Sequence, residues 1–371
     1  MKKKILFLIH DLGHGGAEKV LVNLVNNMDP DKFDITVMAL FGGGVNEQFL
    51  KPHIHFRRVF PKAFPGNSHV MKLLSPRQLH CLFIRERYDI EISYLEGPSA
   101  RIISGCPHKD TKLVSWIHCT MQSEKDFARG FRSAEEARDG YGRMDTMAFV
   151  CRTVRDAFLA QYPYSGQTEV LYNTNESDKI QTLAAEDVEL PGQGFHWCSV
   201  GRLIPIKAFD RMIRIQKRLR EDGYQTQLCI LGEGQLKQEL EKLAAECSVA
   251  DSVTFLGYQT NPYKYVSKCD LFVCSSHSEG FSTAATEALI VGTPVCTVEV
   301  SGMKEMLGEN NEWGIVTENN EDALYMGIKK LLDDRSLLAH YAAQAKVRGN
   351  QFETKSTVAA VEKMLLTLCM E

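Results

Sequence analysis

Leu271-Phe272-Val273-Cys274-Ser275-Ser276-His277-Ser278-Glu279-Gly280-Phe281-Ser282-Thr283-Ala284-Ala285-Thr286-Glu287-Ala288-Leu289 decides how the rest of the chain is read. Four consecutive apolar residues without alternation describe a strand covered on both faces. A polar turn holding Gly280 follows, then an apolar helix over Thr283–Ile290, and Gly292-Thr293-Pro294 opens the next apolar run, Pro294–Val298. Strand, helix and strand in that order form a βαβ unit, and its strands run parallel.

The same rhythm extends outward from this unit. Within the second half, strands are expected at His196–Val200, Gln227–Leu231 and Ser252–Phe255, with helices at Phe209–Glu221, Gln235–Glu246 and Glu321–Leu332. The first half carries strands at Lys4–His10, Phe33–Leu40, Ile54–Val59, Ile90–Tyr94, Lys112–Ile117, Thr146–Val150 and Glu169–Tyr172. Its helices are expected at Ala17–Met28, Pro76–Arg87 and Thr153–Gln161, and Ser336–Met370 reads as all-helical. A polar stretch, 174–194, separates the halves. The fold class is α/β with two doubly wound domains, 1–178 and 179–350, followed by a C-terminal helix over 351–371.

The chain has 371 residues, 43 Lys plus Arg, 47 Asp plus Glu and 44% hydrophobic residues. At roughly 100–200 residues per domain this suits two domains, and it excludes collagen, low-complexity disorder and a global polyanion binder. Eleven cysteines, with no Cys-x-x-Cys pair, point to a reducing, cytoplasmic setting. The first strand resembles a signal peptide, but its apolar run is too short before His10 and Asp11. Near-neutrality conceals an asymmetry: residues 1–178 carry 23 cations against 21 acids, the remainder 20 against 26. Between 51 and 87, Lys51, Arg57, Arg58, Lys62, Lys72, Arg77, Arg85 and Arg87 face one acid, Glu86, with Phe56, Phe60, Phe64, Met71, Leu73, Leu74 and Leu82 interleaved. A solvated face would also read this way. Mixed basic and apolar groups suit an anionic membrane surface or a lipid-linked phosphate, whereas nucleic acid is disfavoured by the overall acidity.

Three strand-to-helix turns carry chemistry. Gly13-His14-Gly15-Gly16-Ala17-Glu18 follows the first strand and lets backbone amides approach an anion at a helix N-terminus. It lacks the third glycine of a dinucleotide fingerprint and the ribose-binding acid after the second strand, so a nicotinamide enzyme is a weak reading. Gly201-Arg202-Leu203-Ile204-Pro205-Ile206-Lys207 places Lys207 at a helix N-terminus, where the dipole already puts positive charge; an anion resolves that conflict, and Arg202 with Lys207 forms a candidate diphosphate clamp. In the third turn, capping does not explain Glu287, because the residue three before it is Ala284. Glu279 and Glu287 flanking helix amides suit a ligand with hydroxyls at both ends and phosphates between. Ordinary surface or turn residues remain an alternative at each site. Asp29-Pro30-Asp31 spells a metal-seating pair but reads as a turn.

Glu279 and Glu287 with seven residues between, Gly201-Arg202 with Lys207, Gly15-Gly16, and Gly232-Glu233-Gly234 together resemble retaining glycosyltransferases of family 4, of the GT-B fold. The stretch Glu279–Leu289 with Gly292-Thr293-Pro294-Val295 and Ser301-Gly302-Met303-Lys304-Glu305 resembles capsule and exopolysaccharide enzymes of bacteria. The resemblance implies two Rossmann-like domains facing a cleft, with the C-terminal helix returning to the first. It implies that Arg202 and Lys207 hold the donor diphosphate, Glu287 the ribose and Glu279 the transferred sugar, while Gly201, Gly232, Gly280 and the amides of Phe281, Ser282 and Thr283 line the donor. His118 matches a histidine reaching the sugar, Gly15 and Gly16 border the phosphate and acceptor, and Asn173 matches a position near the hinge. Ala208 replaces a common glycine, and Phe281-Ser282-Thr283 a common Phe-Gly-Leu. The implied activity is metal-independent retaining transfer without a cofactor, from a UDP-linked hexose to a lipid-linked saccharide, in the cytoplasm or at the inner membrane face, with Arg57, Arg58, Lys62 and Lys72 toward acceptor or membrane. An epimerase, a phosphorylase or a non-catalytic nucleotide-sugar-binding subunit are the rivals.

Overall fold

Ile5 through Ile9 are each 0% exposed, so the first strand has no solvent face and must be covered on both sides. The computed structural model describes residues 2–13 and 15–370; His14 of the first glycine turn lies outside the described residues. Two units form, one running to Thr174 and joined by Thr354 onward, the other Asn175–Glu353.

The first unit is built on seven parallel strands, β1 (Lys3–Ile9), β2 (Phe33–Phe41), β3 (His55–Phe60), β4 (Ile90–Ser93), β5 (Lys112–Ile117), β6 (Thr146–Phe149) and β7 (Gln167–Val170). Their order is β3-β2-β1-β4-β5-β6-β7. The second unit has β8 (Phe195–Val200), β9 (Thr226–Leu231), β10 (Val253–Gly257), β11 (Leu271–Cys274), β12 (Val295–Val298) and β13 (Ile315–Thr317), in the order β10-β9-β8-β11-β12-β13. In each sheet the direction of winding reverses once, between β1 and β4 and between β8 and β11. A crevice opens at such a reversal, outside the carboxyl ends of the two strands. The three turns singled out by sequence follow β1, β8 and β11, which are reversal strands.

Buried Trp197 and Gln216 are paired in the second core. Trp197 Nε1 donates to Gln216 Oε1 at 2.9 Å, and Gln216 Nε2 donates to the Thr226 carbonyl at 2.8 Å. The last helix, Thr354–Leu368, packs on the helix Gly16–Asn27 of the first unit, and Glu362 Oε1 accepts the Asp29 amide at 2.7 Å. Asp29-Pro30-Asp31 is a turn here: the Asp31 amide donates to Asp29 Oδ1 at 2.9 Å.

Several sequence expectations are corrected. The polar stretch 174–194 holds a helix, Ser177–Ala184, anchored by buried Ile180; one core residue per turn is too weak a period to read. The expected helix Pro76–Arg87 ends at Phe83, because Arg85, Glu86 and Arg87 have no apolar face to continue. β13 was not foreseen, having three residues and one core side chain, Ile315. The C-terminal stretch is two helices, Arg335–Gly349 and Thr354–Leu368, broken where Phe352 turns into the core.

Ala208 caps the helix Phe209–Glu221 at φ 50°, ψ 43°, a left-handed conformation that an L side chain adopts at a cost. Ala208→Gly is expected to stabilise the second unit by on the order of 1 kcal/mol, the relief of strain exceeding the extra unfolded-state entropy; urea unfolding followed by tryptophan fluorescence checks the sign.

Candidate functional site

The loops after β8 and β11 are tied to each other by backbone and side chain. Ser275 Oγ donates to the carbonyls of Lys207 at 2.9 Å and Ala208 at 3.1 Å, and the His277 amide donates to the Ile206 carbonyl at 2.8 Å. Arg211 closes the edge, its guanidinium 2.7 Å from Asn319 Oδ1 and 2.9 Å from His277 Nδ1. This places Lys207 and Glu279 together: Lys207 Nζ lies 2.6 Å from Glu279 Oε1, and Ser276 Oγ donates to the same oxygen at 2.6 Å. Both charged side chains are mostly buried, at 26% and 11% exposure. Ser199, Phe209, Phe272, Cys274, Ser282 and Ala284 line the hollow around them.

The anion that Lys207 requires at a helix N-terminus is therefore supplied first by the chain itself. Arg202, by contrast, is exposed, and its guanidinium has no hydrogen bond or ion pair among the described residues. One clamp cation is pre-oriented and the other is free.

Ser282 caps the helix Thr283–Val291, its Oγ accepting the Ala285 amide at 3.3 Å, which leaves the amides of the first helical residues without intrahelical partners. The amide side of the proposed phosphate contact thus shifts toward Thr283 and Ala284. Phe281 is turned inward, 5% exposed, its ring 5.7 Å from Phe352. Glu287, 7% exposed, receives the Tyr263 hydroxyl at 3.3 Å. Tyr263, on the helix Tyr263–Lys268, had no signal in the sequence; Ser276 lay within the quoted stretch but without a motif to mark it. Gly232 is explained by packing: a Cβ on it would sit 1.9 Å from the Gly201 carbonyl oxygen, where the loops after β8 and β9 pass, whereas a Cβ on Gly201 would meet only ordinary contacts at 3.6 Å or more. Gly280 lies on the turn between Glu279 and Phe281.

In the first unit, Gly15 caps and Gly16 begins the helix after β1. The preceding turn is held by Asp11, whose Oδ1 accepts the Gly13 amide at 2.7 Å. His10 hydrogen-bonds the same carboxyl and holds it below its ordinary range. A Cβ on Gly15 would meet the Glu18 carboxylate at 1.9 Å. Asn173, 6% exposed, sits beyond β7.

His118 follows β5. Its amide donates to Glu96 Oε2 at 3.1 Å, and its ring lies tilted against that of Tyr94, centroids 4.8 Å apart. Nε2 is buried without a partner. Burial pushes the imidazole down to about 4, against a smaller opposing pull from Glu96, so the ring is neutral at physiological pH and keeps a polar atom to offer.

The basic segment is divided by the fold. Phe60 and Phe64, half-buried, pack with Phe41 and Phe83, ring centroids 5.4–6.1 Å apart, and Met71 is buried, so these side chains turn away from solvent. Arg57 pairs with Glu86 at 2.6 Å. Arg58, Lys62 and Lys72 are exposed, beside Val70 at 52%, Leu73 at 78% and Leu82 at 50% exposure. The short helix Asn67–Leu73 is gripped at its C-terminal end: Arg101 donates to the Met71 and Leu74 carbonyls at 2.8 and 2.7 Å, Arg132 to those of Lys72 and Leu73 at 2.6 and 2.7 Å, and Glu136 pairs with Arg101. Cations there complement the helix dipole. Among the described residues, no helix is long and apolar enough to cross a membrane.

Residues 181–348 match the family model "Glycosyl transferases group 1", and residues 14–175 match "Glycosyltransferase Family 4". The chain is 29% identical, over 98% of its length and all of the relative's, to N-acetylgalactosamine-N,N'-diacetylbacillosaminyl-diphospho-undecaprenol 4-alpha-N-acetylgalactosaminyltransferase of Campylobacter jejuni. It is 27% identical to the lipopolysaccharide core biosynthesis glycosyltransferase LpsD of Rhizobium meliloti, with 90% of each chain covered. Among solved structures, Anabaena Alr3699/HepE in complex with UDP and glucose superposes with a TM-score of 0.76 at 18% identity, covering 98% of this chain and 100% of that one. Two parallel-sheet Rossmann-like units of this kind are the GT-B fold.

Because His118 is depressed in the folded state, its neutral form contributes stability that is complete above about pH 6.5 and is lost as pH falls through about 4. Its ring-proton NMR resonance is expected to titrate with a midpoint of about 4 and to show no step at 6.5.

Proposed function

We propose that this chain, a glycosyltransferase of the GT-B fold, moves a hexose-type sugar with retention from a nucleoside diphosphate, most simply UDP, to a lipid-linked saccharide. The observation that carries this reading is the Lys207 ammonium held 2.6 Å from Glu279 beside an unpaired Arg202. An arriving diphosphate competes with Glu279 for Lys207, recruits Arg202 and the first amides of the helix Thr283–Val291, and stabilises charge as the nucleotide leaves. Glu279, released from Lys207, then accepts hydrogen bonds from sugar hydroxyls. Glu287, oriented by Tyr263, takes the ribose, and neutral His118 offers the sugar a hydrogen bond without adding charge.

With retention, the bond from the anomeric carbon to the phosphate breaks while the acceptor oxygen bonds that carbon from the same face. The acceptor's proton passes to a phosphate oxygen of the departing diphosphate. Charge stabilisation by these groups needs no metal. The undecaprenyl diphosphate acceptor and alpha linkage in the Campylobacter relative's name support a lipid-linked acceptor, and the UDP complex of the Anabaena structure supports the donor. The exposed cations Arg58, Lys62 and Lys72 with Val70, Leu73 and Leu82 suit an anionic membrane surface, on which such an acceptor sits; Arg57, spent on Glu86, contributes less.

Incubation with labelled UDP-sugars and a short-chain lipid diphosphate saccharide is expected to give free UDP and an alpha-linked product in EDTA as in Mg²⁺; an isomerised donor would indicate an epimerase, and binding without turnover a carrier subunit. Lys207→Ala is expected to lower kcat by roughly 10²-fold or more, and near-normal turnover would remove the clamp assignment. Reversing Arg58, Lys62 and Lys72 to Glu is expected to weaken sedimentation with phosphatidylglycerol vesicles by roughly 10²-fold, at about 1 kcal/mol per cation, with no change on neutral vesicles.

A further inference from the structure

Away from the loops after β8 and β11, the first unit buries three side chains of metal-ligand chemistry against one another. His80 lies on the helix Pro76–Phe83, Glu91 on β4, and Cys106 on the turn after the helix Pro98–Ile103. They are 1%, 0% and 2% exposed, and one ligand atom from each lies within 4.8 Å of the others. His80 Nε2 is 2.7 Å from Glu91 Oε2. That contact leaves the pair incomplete, since His80 Nδ1 and Glu91 Oε1 are both buried without a nitrogen or oxygen partner, and the carboxylate is met besides by the weak thiol donor of Cys106. Each such orphan costs about 1–3 kcal/mol, and more for a charged group, so a closed hydrogen-bonded pair does not account for the cluster.

We propose that His80, Glu91 and Cys106 bind zinc, as a structural ion that staples the helix Pro76–Phe83 and the turn at Cys106 to the central sheet. An imidazole, a carboxylate and a thiol are the zinc donor set, whereas Mg²⁺ and Ca²⁺ take oxygen ligands. Zinc bonds of 2.0–2.3 Å set tetrahedral ligands roughly 3.3–3.6 Å apart. His80 and Glu91 therefore part slightly, while Cys106 closes on them. On binding, the Cys106 thiol gives up its proton to solvent and becomes a thiolate, the proton between His80 Nε2 and Glu91 Oε2 moves to His80 Nδ1, and the contact between His80 and Glu91 is replaced by two metal bonds. His108, two residues beyond Cys106 with its ring 6.4 Å from that of His80, is the candidate for a fourth ligand.

The turn that carries Cys106 is already constrained toward this role. Arg143 holds it through the carbonyls of Ser104 and Cys106, and a Cβ on Gly105 would meet the Pro76 carbonyl oxygen at 2.0 Å, so the turn lies directly on the first residue of the helix bearing His80. None of these residues belongs to the donor loops, and the ion takes no part in sugar transfer.

The test uses the full chain, purified without a polyhistidine tag from zinc-supplemented cells. Elemental analysis is expected to find about one zinc per chain, with one sulfur neighbour by X-ray absorption. Cys106→Ser and Glu91→Gln are expected to lower zinc content at least tenfold, while Cys81→Ser, at an exposed cysteine, leaves it unchanged. Cobalt added to the chelator-treated chain is expected to give a thiolate charge-transfer band, a readout that stands even if the variants fail to fold. A wild-type chain that holds no zinc and gives no cobalt band overturns the proposal, as does zinc retained undiminished by Cys106→Ser.

Discussion

A parallel strand such as β1, with Ile5 through Ile9 wholly buried, cannot turn either face to water, and most of the architecture follows from that constraint. Helices must cover both faces of each sheet, so the chain winds one way from β1 or β8 and then returns to wind the other way. The reversal opens a crevice beside the carboxyl ends of the central strands. Helix amides and loop side chains can reach a ligand there without disturbing the core. The chemistry of the second unit sits at that place because little else on such a sheet is both rigid at its base and open at its tip.

Within the crevice, a cation at a helix N-terminus is paired by the chain itself: Lys207, awkwardly placed against the helix dipole, is held by Glu279, and the proposed donor diphosphate would compete for it. The arrangement keeps the cation oriented at low cost, since the ion pair is partly desolvated and further held by Ser276. It also makes the two carboxylates unequal. Glu279 is spent on Lys207 and Ser276, while Glu287 lies inside an apolar helix and is oriented by Tyr263.

The basic segment shows how composition and surface diverge. Read along the chain, residues 51–87 mix cations and apolar groups without evident order. Folded, Met71 is buried, Phe60 and Phe64 pack half-buried against other rings, Arg57 is used by Glu86, and a short helix with Leu73 at its end stays outside. Two arginines, one of them braced by Glu136, grip that helix by its terminal carbonyls, so the surface it presents rests on a fixed base.

Much of this was legible without coordinates. Uninterrupted apolar runs reported the parallel strands, Lys4–His10 landing within one residue of β1 and Lys112–Ile117 and Leu271–Cys274 on β5 and β11, because burial on both faces leaves a signal in composition alone. Arg202, Lys207, Glu279 and Glu287 stood out because charge at a strand-to-helix turn contradicts local preference. The helix Ser177–Ala184 and β13 did not, since each is held by a single buried side chain, Ile180 or Ile315. Nor could the chain order of residues show that Lys207 meets Glu279, 72 positions away, that Tyr263 serves Glu287, or that His80, Glu91 and Cys106 converge. The sequence by itself determined which segments must be buried and which turns carry charge, because hydrophobic period and charge are local properties. Only the tertiary structure decided which of those charges neutralise one another, because partner choice depends on where the winding of each sheet reverses.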